Sequence, residues 1–264
     1  CTPTEYRMMA KLDNLDKFYL EHLHSAVSAG EPLNREVVEQ FRKHFNLTVR
    51  DGYGQTESTL LIGFLKDTEQ RPGSMGKAIP GSRVAIVDDD GNKVDTNVKG
   101  NIALPLDFPG LFKGYFKDEE RTKAAHAGEY YITGDLAHID EDGYFWFEGR
   151  RDDIIISSGY TIGPFEVEDA LTNHEAVKEC AVVASPHPIR GNIVKAFIIL
   201  KDGYEPSDDL VKELQAFSKR VVAPYKYPRA IEFVEDLPKT NSGKIRRVEL
   251  RDAERAKYNE SQNK

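Results

Sequence analysis

The sequence predicts an α/β (α+β) protein in two parts: a first part that ends in a β-rich subdomain, followed by a small α/β domain. Three observations predict it. The chain has 264 residues, enough for two domains of roughly 100–200 residues each. Before about residue 148, short apolar runs are separated by turns rich in Asp, Asn and Gly. After Gly149, strand-length apolar runs alternate with segments of helical periodicity, as a small α/β domain requires. The change falls at 150–153, four charged residues in succession, and divides the chain into 1–151 and 152–264.

The elements follow in order. Val37, Val38, Phe41 and Phe45 recur at helical spacing and predict a helix over residues 31–45. Residues 28–32, Ser-Ala-Gly-Glu-Pro, read as the loop entering it. The runs at 83–87 and 93–94 flank Asp-Asp-Gly-Asn, a strong hairpin pattern. Residues 136–139 and 144–147 flank Asp-Glu-Asp-Gly and predict a second hairpin. Both lie in the β-rich subdomain, about 80–148. Beyond it, Phe165, Val167 and Leu171 suit a helix, and 179–184 and 194–200 read as strands. Leu210, Val211, Leu214, Phe217 and Val221 share one face of a helix over 208–222. A short strand at 230–234 and a charged helix from Val248 complete the chain, with no internal repeat.

Composition excludes several classes. A net charge of −8 argues against sequence-independent nucleic-acid binding, which rests on clustered cations. No apolar run approaches the ~18 residues of a membrane-spanning helix. No charged-then-apolar leader opens the sequence, and two cysteines make no disulfide framework; a cytoplasmic setting is expected. Cys180 reads as a core strand residue. None of the seven histidines joins a metal-type pattern, and His22 and His24 are incidental. The first residue is Cys1 rather than Met, so a longer parent chain is expected.

Four strings carry chemistry. Asp51-Gly52-Tyr53-Gly54-Gln55-Thr56-Glu57-Ser58 combines glycines that allow close backbone approach with an aromatic ring, a hydroxyl and a carboxylate suited to Mg²⁺ beside phosphate. The bland alternative is a turn. In Tyr130-Tyr131-Ile132-Thr133-Gly134-Asp135, a tight glycine turn presents a carboxylate to a hydroxyl pair; a solvated Asp is the alternative. The string Gly149-Arg150-Arg151-Asp152-Asp153-Ile154-Ile155-Ile156 sets charges beside a buried-looking strand, as a hinge or an ordinary linker does. In Leu237-Pro238-Lys239-Thr240-Asn241-Ser242-Gly243-Lys244, a lysine on a Ser-Gly loop suits stabilisation of developing negative charge, or is a basic surface turn. It lacks P-loop spacing.

In this order the four strings resemble the successive core motifs of one family, the acyl-CoA synthetase, adenylation-domain and luciferase superfamily of adenylate-forming (AMP-binding) enzymes. The similarity spans essentially the whole chain. Pro186-His187-Pro188-Ile189-Arg190-Gly191 and Pro224-Tyr225-Lys226-Tyr227-Pro228-Arg229 look most like the acetyl-CoA and medium-chain acyl-CoA synthetase branch. The resemblance implies that 1–151 is the C-terminal part of a large AMP-binding domain and that 152–264 is the small mobile C-terminal domain. It further implies a ligase that activates a carboxylic acid with ATP and passes the acyl group to CoA, with Mg²⁺ as cofactor.

The residue roles are likewise implied. Gly30, Glu31 and Pro32 line the adenine pocket, and Tyr53 stacks on the base within the nucleotide-binding string Asp51, Gly52, Tyr53, Gly54, Gln55 and Thr56. Thr56 contacts the α-phosphate and Glu57 the Mg²⁺. Asp135 and Arg150 hold the ribose hydroxyls. Asp152 is the hinge, Lys244 stabilises the adenylate-forming transition state, and Gly159 borders the pantetheine channel of CoA. Two departures stand out. Thr161 occupies a position where many relatives carry a phosphate-contacting Arg. The Ser/Thr/Gly-rich loop that cradles the β- and γ-phosphates is absent, as is the rest of the N-terminal domain, so this chain alone is expected to be inactive. Alternatives are an adenylation domain that loads a carrier protein, and a non-catalytic nucleotide-binding or docking module.

Overall fold

The computed structural model describes residues 1–12, 14–31, 33–240 and 243–262. They form two compact units, Cys1–Glu148 and Gly149–Lys264. Among them, no helix is long and apolar enough to cross a membrane.

The first unit opens with helix α1 (Pro3–Ala10), capped by a reciprocal pair between Thr2 and Glu5. Strand β1 (Ala26–Ala29), helix α2 (Arg35–Phe45) and strand β2 (Val49–Gly54) then form a parallel β-α-β unit. Ser28 and Ala29 therefore lie in a strand, where the sequence suggested a loop. Helix α2 begins four residues later than predicted. Leu33 donates its N–H to the Asp51 carboxylate, and the first helical bond runs from Val37 N–H to the Asn34 carbonyl. Val37, Val38 and Phe41 pack on Tyr6, Leu33, Leu47 and Val49, each such side chain contributing about 1.5–3 kcal/mol by burial.

Strands β3 (Leu60–Gly63), β4 (Gly76–Ala78), β5 (Ala85–Val87) and β6 (Gly100–Pro105) follow. After them come helix α3 (Glu119–Ala124) and strands β7 (His126–Ala127), β8 (Tyr130–Ile139) and β9 (Tyr144–Arg150). They extend one sheet in the order β1-β2-β3-β4-β9-β8-β6-β5, with β7 on β8. The second predicted hairpin is β8–β9. The first is shorter than expected: beyond the 88–92 turn, Lys93 makes a single bridge to Val87, and the ladder partner of β5 is β6.

The second unit contains the hairpin β10 (Ile155–Ser157) and β11 (Tyr160–Ile162), then helix α4 (Pro164–Thr172). Strands β12 (Val177–His187) and β13 (Gly191–Leu200), helix α5 (Asp208–Val221), strand β14 (Ala230–Phe233) and helix α6 (Arg247–Gln262) complete it. Its sheet runs β12-β13-β14. One face, with Cys180, Val182, Val194, Ala196 and Ile198, packs on Val167, Leu171, Leu210 and Leu214 of α4 and α5. The other, with Ala181, Val183 and Phe197, packs on Leu237 and Leu250. A strand covered on both faces reads as a continuous apolar run, which is why β12 was legible. Ile156 departs from expectation: strand alternation turns it out to 60% exposure, while Ile155 is buried.

Candidate active site

In the first unit, β1 and β2 run parallel, with Ser28 opposite Asp51 and Ala29 opposite Gly52. The chain leaves β1 at Gly30, and Tyr53 and Gly54 close β2. Both sets of residues thus sit at the carboxyl ends of neighbouring parallel strands, where open α/β sheets bind ligands. Asp51 ties the two ends together. Its carboxylate accepts from Gly52 N–H at 3.0 Å and Leu33 N–H at 3.3 Å, and burial pushes its pKa up to about 7. Glu31 faces elsewhere, its carboxylate held by Arg7 and by the Thr4 hydroxyl, each at 3.0 Å. Pro32 lies outside the described residues.

Tyr53, Gln55 and Asp135 converge. The Tyr53 hydroxyl donates to Asp135 Oδ2 at 2.7 Å and Gln55 Nε2 donates to the same oxygen at 2.6 Å. Gln55 is itself fixed, donating to the Thr133 carbonyl at 3.0 Å and accepting from the Tyr131 hydroxyl at 3.2 Å. Burial, reinforced by the Asp135 charge, raises the Tyr53 phenol well above its ordinary pKa, so it serves as a hydrogen-bond donor.

Asp135 does not follow a tight turn, as the sequence suggested. It lies inside β8, where Asn101 pairs with Leu136 and Ala103 with Ile132. Thr133, Gly134 and Asp135 therefore stand opposite Ile102 alone. This bulge, with Gly134 at φ 78°, re-aims the strand. Thr133 stabilises it by donating its hydroxyl to the Ile102 carbonyl and accepting the Asp135 N–H.

The glycines of the first string also bear on the packing of β2 against β3. A Cβ on Gly54 would lie 2.2 Å from the Thr59 carbonyl oxygen, and one on Gly52 would lie 2.9 Å from Leu60 Cδ1. Close packing of β2 on β3 thus requires glycine at 54, whereas at 52 only a movable leucine methyl stands in the way. Residues 55–58 then turn tightly, Ser58 N–H donating to the Gln55 carbonyl, with Thr56 exposed at the corner. Glu57 Oε1 accepts from the Tyr115 hydroxyl at 3.0 Å. Among the described residues no group of three or more His, Cys, Asp or Glu could hold a metal.

The remaining candidates belong to the second unit. Arg150 Nε donates to Asp152 Oδ1 at 3.1 Å, and Asp153 N–H closes a turn onto the Arg150 carbonyl. Gly159 (φ 83°) and Ser158 (φ 50°) form the two-residue turn of the β10–β11 hairpin. A Cβ on Gly159 would meet open space. Thr161 is exposed on β11. The loop bearing Lys244 is closed at its base by pairing of Lys239 with Ile245. Thr240 N–H donates to the Lys244 carbonyl at 2.8 Å, as does Arg246 N–H to the Pro238 carbonyl. Asn241 and Ser242 lie outside the described residues.

Tyr131 and Thr133 were read in the second string without a role of their own, and Tyr115 went unnoticed in the sequence. Tyr131, Thr133 and Asp135 alternate along β8, and all three are buried, so the period-two pattern was an available signal. Tyr115 stands 58 residues from Glu57 and carried none.

Residues 1–116 match the family "AMP-binding enzyme", and residues 166–244 match "AMP-binding enzyme C-terminal domain". The chain belongs to the AMP-binding enzyme family. It is 65% identical over 254 residues to an uncharacterized acyl-CoA ligase, YtcI, of Bacillus subtilis (strain 168), covering 96% of this chain and 48% of that protein. It is 50% identical over 257 residues to the mitochondrial acyl-coenzyme A synthetase ACSM3 of Mus musculus, covering 96% and 44%. Among solved structures, the anthranilate CoA ligase AuaEII in complex with anthranoyl-AMP superposes with a TM-score of 0.87 at 37% identity, covering 96% of this chain and 49% of that one. The chain spans about half the length of these relatives.

Proposed function

We propose that the full-length protein is an acyl-CoA synthetase, a ligase that joins a carboxylic acid to CoA through an acyl-adenylate. The observation that carries this reading is the convergence of Tyr53 and Gln55 on Asp135 at the carboxyl ends of β1 and β2, in a chain of this family. In the first step a carboxylate oxygen attacks the α-phosphorus of ATP and pyrophosphate departs. In the second the CoA thiol attacks the acyl carbonyl, loses its proton, and AMP leaves.

In this reading the first unit is the C-terminal part of the large domain and the second is the mobile one, turning about Asp152. With the Glu31 carboxylate held by α1, Gly30 and Glu31 offer backbone to the adenine edge. Tyr53 places its ring on the base, and Asp135, fixed by Tyr53 and Gln55, takes the ribose hydroxyls together with Arg150. Thr56 reaches the α-phosphate. Mg²⁺ is commonly held by one or two carboxylates plus substrate phosphates, and Glu57, beside the exposed Thr56, fits that need. When bound, the ion neutralises charge on the phosphate oxygens. Gly159, at an open hairpin tip, borders the path of the pantetheine arm. Lys244 stabilises the anion that develops during adenylation, where Thr161 supplies no charge.

Lys244→Ala in the full-length protein tests the assignment. Loss of one preorganised charge at a developing anion costs about a hundred- to a thousandfold in rate. Carboxylate-dependent ATP–pyrophosphate exchange should fall by that factor. Thioester formation from supplied acyl-AMP should stay near the parent rate. Equal losses in the two half-reactions would overturn the role given to Lys244.

A further inference from the structure

Glu168 is a buried carboxylate, 6% exposed on α4, that the chemistry above leaves unused. Every contact it makes is specific. Oε1 accepts from Val182 N–H at 2.8 Å and from Arg247 Nε at 2.9 Å, and Oε2 accepts from the other arm of Arg247 at 2.6 Å. This fork-on-carboxylate geometry fixes direction as well as distance. Burial alone would lower the pKa of the Arg247 guanidinium, and the Glu168 charge more than reverses that.

Arg247 opens α6 and stands three residues beyond Lys244. One helical turn later Arg251, also buried, pairs with Asp153, the neighbour of the hinge residue Asp152. The loop between Pro238 and Arg246 is closed by backbone bonds and by the ion pair of Lys239 with Glu179 at 2.7 Å. Its exit is therefore held at Arg247, and the helix it enters is held at Arg251. An uncharged pair at 168 and 247 that kept an acceptor for Val182 N–H would pack about as stably, because desolvation offsets most of a buried ion pair's attraction. It would not set the orientation of the chain at the base of the lysine loop.

We propose that Glu168, acting through Arg247, is a positioning residue for Lys244, and that Asp153–Arg251 fastens the same helix to the segment after the hinge. The lysine loop and that segment then turn as one piece. The proposal rests on the role given to Lys244 above.

The test uses the full-length protein with Glu168→Gln and with the double variant Glu168→Gln/Arg247→Met. The single variant keeps an acceptor for Val182 N–H but strands a buried guanidinium, so it can fail to fold. The double variant removes both charges and should melt close to the parent. Its ATP–pyrophosphate exchange should nonetheless lose at least about tenfold in kcat with little change in KM for ATP, the mark of an interaction used in the transition state. Acyl transfer from supplied acyl-AMP should stay within about twofold. Hydrogen exchange at the Thr240 and Arg246 amides should quicken by at least about tenfold. Recovery of parental exchange rates at those amides, or equal loss in both half-reactions, would overturn the proposal. If the parent catalyses neither half-reaction, the functional reading fails, and amide exchange alone decides the positioning role.

Discussion

Asp51 on β2 and Asp135 in the bulge of β8 are held by different kinds of neighbour. Asp135 takes two side-chain donors, whereas Asp51 takes backbone N–H groups and is otherwise desolvated. The Asp51 pKa of about 7 lies above its ordinary value of 3.8. Between those limits the native protein keeps a proton that the unfolded chain has released. Its contribution to stability is therefore complete below about pH 4 and is lost as pH rises through 7. Asp51→Asn keeps one acceptor oxygen and carries no charge. It leaves one of the two backbone N–H groups without its acceptor, which lowers stability at every pH, but it should flatten the decline between pH 5 and pH 8. Urea midpoints at pH 5 and pH 8 measure this, and a parental drop between them in the variant would refute it.

At the scale of elements, the bulge in β8 decides how Asp135 of the candidate site is presented. A regular strand would leave no surplus residues between the pairs at Leu136 and Ile132, and Asp135 would not be aimed by them. Gly134 occupies the left-handed region there, where a side chain costs roughly 1–2 kcal/mol. Gly134→Ala should lower the melting temperature by several degrees and, by shifting Asp135, also weaken AMP binding. Gly81→Ala is the control, since Gly81 has φ 84° and open space around it. It should show the strain and not the binding loss. Thermal shifts and AMP titrations of the two variants would separate these effects, and equal affinities would count against the part given to the bulge.

At the scale of the molecule, function as proposed depends on the segment that joins the two units. Arg150, Arg151, Asp152 and Asp153 form a turn closed by Asp153 N–H on the Arg150 carbonyl, with Asp152 at its third position. Proline is disfavoured there because it drives the preceding residue out of the helical region. Asp152→Pro should therefore displace the turn as well as restrict it. We expect the two half-reactions to fall by different factors in the full-length protein. Parallel assays of pyrophosphate exchange and thioester formation check this. A folded variant with an unchanged ratio of the two rates would move the hinge away from Asp152.

Sequence alone determined what is local or repeats with a short period. Helices α4 and α5 and strands β12 and β13 were legible because apolar spacing reports which face is buried, and both faces of β12 are; the α5 face was overdrawn at Val221, which is exposed, and α6 was read from its charge alone. The motif strings were legible because each is contiguous. Strand β1 escaped, being four residues, Ala-Val-Ser-Ala, with little apolar bulk; only its parallel pairing with β2 makes it a strand. Tertiary structure alone decided the partnerships. Gln55 meets Asp135 across 80 residues, Tyr115 meets Glu57 across 58 and Arg247 meets Glu168 across 79. A side chain's partner depends on which strands and helices become neighbours and in what register. That choice is made by the packing of whole elements, so no local stretch of sequence records it.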